Sequence, residues 1–96
     1  MASGYVIASI DVTHPDQYAE YRIWSSKAIQ AHGAEVCVRG GQVEVLEGDW
    51  NPGRTVVLKF PSFEAAQAFY ETPEYRKARE VREGAAIVRM VCVEGV

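Results

Sequence analysis

Alternating apolar runs at both ends of the chain, two helix-period stretches and breaks marked by glycine or proline predict an α+β domain. In it, helices cover one face of an antiparallel sheet. The chain has 96 residues, which suits a single domain over residues 1–96, and a lone subunit of that size buries little surface. With 48% hydrophobic and 24% charged residues it reads as an ordinary folded protein rather than a disordered one. Net charge is −3 and the basic residues are scattered, so there is no positive stripe for a nucleic acid. No apolar run approaches the about 20 residues that cross a bilayer, and the start lacks a basic segment followed by an apolar one; no membrane association and a cytoplasmic location are expected.

The elements follow in order. From Tyr5 to Val12, Val6, Ala8, Ile10 and Val12 share one face while Tyr5 and Ile7 lead the other, which is a strand. Thr13 with Asp16 predicts a helix cap, and Pro15 suits the first turn, where its missing N–H is harmless. A helix over 15–32 then carries Tyr18, Tyr21, Ser25, Ala28 and His32 on one stripe and stops at Gly33. Glu35–Arg39 and Gln42–Gly48 alternate as strand, GDWNPG turns, and Arg54–Phe60 returns as a hairpin partner. Ser62 caps a second helix through Ala65, Ala66, Phe69 and Tyr70; Pro73 interrupts it, and Thr72 caps a continuation through Tyr75, Ala78 and Val81 up to Gly84. The last run, Ala85–Val93, is apolar on both faces apart from Arg89.

The order strand, helix, strand, strand, helix, strand is the split βαβ, or ferredoxin-like, plan: a four-stranded antiparallel sheet with two helices on one face. Those helices cover one face only, yet the first and last strands carry apolar residues on both. A second copy presenting the same face hides the remainder, so a homodimer joined through the sheet face is expected.

At Gly40 and Gly41 the apolar phase slips from even positions, Val36 and Val38, to odd ones, Val43 and Val45. A bulge or a tight hairpin produces such a slip; helix count and chain order favour a bulge or kink within one long second strand. Cys37 and Cys92 lie far apart in strand-like runs, which excludes a CxxC motif or zinc site, and both are expected to be reduced, buried thiols.

The segments RGG, LEGDW, FPS, TPEY and REGA, in this order and spacing, resemble the small bacterial family catalogued as domain of unknown function 1330, from about Tyr5 to Glu94. The resemblance implies a dimeric α+β barrel, in which two ferredoxin-like subunits join sheet to sheet. That superfamily spans cofactor-free monooxygenases, haem proteins, lactonising or dehalogenating enzymes and stress-responsive proteins, so the fold alone assigns no activity. Matching the family's recurrent polar positions are His32, Arg39, Glu47, Trp50, Tyr75, Arg82 and Glu83.

His32, at the inner end of the first helix, is a candidate proton-transfer group, and Arg39 offers a fixed, bidentate anion contact; these two are the candidate catalytic residues. Tyr21, Trp50, Tyr70 and Arg89 are the candidate ligand-binding residues: the aromatics as pocket walls, and Arg89 facing a pocket or paired with an acid such as Glu44 or Glu47. No second His stands at ligand spacing and no phosphate loop or nucleophile elbow occurs, so neither a metal nor a cofactor is expected. Three readings remain open. One is a homodimer binding a small organic, carboxylate-bearing molecule between helices and sheet. Another is a cofactor-free monooxygenase- or isomerase-type enzyme using His32, and the last a purely structural homodimer.

Overall fold

The computed structural model describes residues 2–96. Its elements are β1 (Gly4–Val12), α1 (Pro15–Ala31), β2 (Glu35–Arg39), β3 (Arg54–Phe60), α2 (Phe63–Phe69), α3 (Pro73–Val81) and β4 (Ala86–Glu94). The four strands form one sheet in the order β2-β3-β1-β4, each neighbouring pair antiparallel. This is the ferredoxin-like α+β arrangement read from the sequence, with the second helical stretch divided at Pro73 into two helices. No helix among the described residues is long and apolar enough to cross a membrane.

Two-residue periodicity decides which side chains enter the core. Val6, Ala8 and Ile10 of β1 and Leu58 and Phe60 of β3 point under the helices, where they meet Tyr18, Tyr21, Ala28, Ala66, Phe69, Tyr75 and Ala78. On β4 the residues opposite Val6, Ala8 and Ile10 are Cys92, Met90 and Val88, which pack against the same cluster. The alternate residues look the other way. Ile87, Val91 and Val93 are 58%, 56% and 43% exposed, so among the described residues the β4 side of that face is uncovered, while Ser9 on β1 donates to the Pro52 carbonyl.

One close approach sets the spacing between layers. β1 runs so near the start of α2 that a Cβ on Gly4 would lie 2.7 Å from Phe63 Cα and overlap the Ser62 carbonyl. Both are backbone atoms, which yield only if the helix shifts. Gly4→Ala is therefore expected to destabilise the fold by about 1–3 kcal/mol, read as a lowered urea midpoint with unchanged slope.

The caps follow the sequence at two helices and depart from it at the third. The Ser62 hydroxyl accepts from Ala65 N–H at 3.1 Å and that of Thr72 from Tyr75 N–H at 3.2 Å, as expected of residues preceding helices. At α1 the N-cap is His14 and no side chain caps it, contrary to the role expected of Thr13. The N–H groups of Thr13 and His14 both donate to the Ala85 carbonyl, at 2.8 and 2.9 Å, and the Thr13 hydroxyl turns to the Gly84 carbonyl. This tether to the entry of β4 draws Thr13 away from the helix end. The stripe Tyr18, Tyr21, Ser25, Ala28 is buried as expected, but His32 is exposed. The helix ends at Ala31, and His32, with φ −106° and ψ 7°, leaves the helical line before its ring can enter the core.

The second strand is shorter than expected. β2 ends at Arg39, and residues 42–48 form no strand. The register shift lies between Val36 and Val38, around Cys37, rather than at the glycine pair. Gly40 ends the strand instead: with φ 68° its N–H donates to the Thr55 carbonyl at 2.8 Å, and a Cβ there would collide with the Arg54 guanidinium. Cys37, the extra residue of the bulge, is exposed rather than buried, as is every residue of this edge strand; Cys92 is half-buried, and both thiols are free.

Candidate functional site

Two spaces lie between the helices and the sheet. Under α1, Tyr21, Ser25, Arg39, Arg54 and Tyr75 border a narrow gap of about 40 Å³, little more than the volume of one water molecule. Between α2–α3 and the edge strand β4 a cleft of about 440 Å³ opens, walled by Gln67, Tyr70, Arg82, Val88, Met90 and Cys92. Only the second is in the size range of small-molecule sites.

Arg82 gives that cleft its chemistry. At the C-cap of α3 it follows Tyr75 by seven residues and Ala78 by four, so it continues the buried stripe as the helix ends. Its guanidinium carbon lies 5.5 Å from the centroid of the Tyr21 ring, its Nε is shielded from solvent without a hydrogen-bond partner, and no ion pair engages it among the described residues. Arg79 stands beside it, 4.0 Å over the Tyr70 ring and 3.7 Å from Glu71, so its charge is partly engaged. A half-buried guanidinium without a carboxylate favours an anion at its open side.

Beside the narrow gap under α1, the Tyr21 and Tyr75 hydroxyls are 2.8 Å apart and buried. Burial, with the adjacent Tyr75, pushes the Tyr21 phenol far above its ordinary pKa; the Arg82 charge opposes this only in part. Tyr21 therefore stays protonated and neutral at ordinary pH.

The residues singled out in the sequence are dispersed. His32 Nε2 lies 2.7 Å from Glu74 Oε1, and this hydrogen bond holds the Glu74 carboxyl below its ordinary pKa. The ring meets Phe69 edge-on beside a shallow recess of about 230 Å³ that includes Phe60, Ala65 and Thr72. Arg39, at the far end of β2, donates to the Ser26 hydroxyl and borders the narrow gap instead. His32 and Arg39 thus face different spaces. Tyr21 lines the narrow gap, Trp50 is 67% exposed on the segment between β2 and β3, and Arg89 lies opposite Ser9 on the uncovered sheet face. Neither Glu44 nor Glu47 pairs with Arg89, and no ion pair engages it among the described residues. Tyr70 alone of the six borders the large cleft. Sequence reasoning counted Arg82 among the family's recurrent polar positions without giving it a site role, and passed over Gln67; an arginine in phase with Tyr75 and Ala78 was a further signal for the first.

Sheet order and helix placement define a ferredoxin-like α+β protein with a half-polar cleft at the β4 edge. The chain belongs to the DUF1330 family, a domain of unknown function, whose model matches residues 3–96. No curated protein matches it. Among solved structures it is similar to a protein of unknown function from Rhodopseudomonas palustris, at 21% identity and a TM-score of 0.72, covering 99% of this chain and 83% of that one. A dimeric ferredoxin-like protein of unknown function from Thermobifida fusca is 17% identical with a TM-score of 0.63, over 99% and 92% of the two chains. A protein from Caulobacter crescentus described as a "putative antibiotic biosynthesis monooxygenase" is 15% identical with a TM-score of 0.63, over 99% and 91%. At these identities the likeness is one of fold.

Proposed function

We propose that the protein is a cytoplasmic homodimer of one-domain subunits, joined through the open sheet face, and that each subunit binds a small organic carboxylate in the cleft between α2–α3 and β4. The observation that carries the binding site is Arg82, a partly shielded guanidinium without a carboxylate of its own on the wall of a cleft otherwise lined by Val88, Met90, Ala66 and the Tyr70 ring. The carboxylate meets Arg82 while the organic body lies against the apolar wall, and Gln67 at the rim donates to a polar substituent. The apolar side chains of Ile87, Val91 and Val93 support the dimer, as does the description of the Thermobifida relative as dimeric.

A thermal-shift and calorimetric panel of aromatic and aliphatic monocarboxylates, each paired with its neutral amide, tests the site. At least one acid is expected to bind better than its amide. In Arg82→Gln that preference is lost, weakening the acid about ten- to a hundredfold, as expected of a hydrogen bond to a charged group. Equal binding of acid and amide, undiminished binding to Arg82→Gln, or no acid bound at millimolar concentration would sink the assignment.

A second reading, a cofactor-free monooxygenase- or isomerase-type enzyme with His32 as proton-transfer group, draws support from the His32–Glu74 pair, an imidazole oriented by a carboxylate beside an apolar recess. Arg39 borders a different space, so in this reading an oxyanion contact comes from elsewhere.

A further inference from the structure

The narrow gap under α1 gathers positive charge without a counter-charge. Three arginines from three elements border it: Arg22 of α1, Arg39 at the end of β2 and Arg54 at the start of β3. No Asp or Glu borders it among the described residues, and no ion pair engages any of the three. Sheet register brings two of these charges together. Arg39 pairs with Val56, two residues from Arg54, and Val56 and Arg54 lie opposite Ala8 and Ile10, whose side chains enter the core. Arg39 and Arg54 are therefore diagonal neighbours on the helix-facing side of the sheet.

Arg54 is held in place with a donor to spare. Its guanidinium carbon lies 6.0 Å from the centroid of the Tyr18 ring, and its Nε is shielded from solvent without a hydrogen-bond partner. The guanidinium rests so close to Gly40 that a Cβ there would collide with it, which sets the charge against the chain one residue from Arg39. Tyr21 and Tyr75 border the same gap. Their hydroxyls share one hydrogen bond, in which the accepting hydroxyl keeps its own proton to donate.

We propose that this gap is a binding site for a small inorganic anion, a halide or a nitrate-sized oxyanion, held between Arg39 and Arg54 with Arg22 at its mouth. Like charges brought together in a partly shielded place repel one another; an anion among them removes the repulsion and gives the Arg54 Nε–H an acceptor. Size sets the class of ligand. A space of about 40 Å³ admits such an ion and excludes the body of an organic acid. The site is separate from the Arg82 cleft and does not depend on a carboxylate binding there. Because the arginines come from α1, β2 and β3, a bound ion ties the helix to this corner of the sheet and stabilises the folded state.

Chlorine NMR with sodium chloride as the probe tests the site. At constant ionic strength the protein is expected to broaden the chloride line beyond its value in buffer. Sodium nitrate should remove the excess, and sodium gluconate, whose anion is too large for the gap, should leave it. Arg39→Gln, at an exposed position where the fold should survive, and Arg54→Gln are each expected to weaken chloride binding about tenfold, as for loss of a hydrogen bond to a charged group. Circular dichroism checks that each variant is folded. Thermal unfolding gives a second readout: sodium chloride should raise the wild-type Tm above its value in sodium gluconate, and Arg39→Gln should erase most of that difference. A chloride line no broader than in buffer, equal release by gluconate and nitrate, or undiminished broadening by folded Arg39→Gln overturns the proposal. So does broadening that Arg82→Gln abolishes and Arg39→Gln keeps, which places the ion in the Arg82 cleft instead.

Discussion

Phe69→Ala should lower the unfolding free energy by about 3–5 kcal/mol, enough to leave a marginally stable small domain largely unfolded. Phe69 is 3% exposed at the last residue of α2, with its ring centroid 5.1 Å from that of Phe60 on the sheet and 4.9 Å from that of Tyr75 on α3. It is the point at which three elements meet. With seven residues, α2 is too short to persist on intrinsic propensity, so packing holds it in place. Truncation removes the apolar contact and leaves a cavity among the rings of Phe60, Tyr75 and His32. Urea unfolding followed by circular dichroism measures the loss; a change below about 1 kcal/mol would mean that the surrounding layers rearrange freely, against the close packing described above.

Tyr21→Phe or Tyr75→Phe alone should destabilise by about 1–3 kcal/mol, and the double substitution by less than the sum of the two. The two hydroxyls satisfy each other, 2.8 Å apart in a buried setting. Removing one strands the other, which then bears its full desolvation penalty. Removing both leaves two well-packed rings with no orphan. A double-mutant cycle in urea reads the coupling, and strict additivity would show that water reaches these hydroxyls and that they are independent. The Tyr21 ring also lies 5.5 Å from the Arg82 guanidinium carbon, so a ligand-binding assay on the double variant reports whether the pair's polarity matters to the site or only its shape.

Much of the architecture was legible in the sequence because its determinants are local. Alternation identified β1, β3 and β4, the stripe from Tyr18 to Ala28 identified the buried face of α1, and Ser62, Thr72 and Pro73 marked two helix starts, each through a neighbour within four residues. Where the determinant is distant the reading failed. Thr13 does not cap α1 because its partner is the chain around Ala85, 72 residues on. Residues 42–48 alternate like a strand but find no ladder within the chain, since β3 begins only at Arg54 and pairs with β2 no further than Arg39. His32 fell on the core stripe by spacing alone, and the end of the helix at Ala31 turned it outward to Glu74.

The candidate site shows the same division. By itself the sequence determined the order of elements, the antiparallel sheet with helices on one side, and a second sheet face rich in apolar side chains. These follow from side-chain period and backbone capping, which act over a few residues. Only the tertiary structure decided that His32 and Arg39 stand apart, that Arg89 faces away from the helices, and that Arg82 meets Tyr70 at a cleft of useful size. Such meetings depend on how layers stack and where strands stop, and no spacing along the chain encodes them.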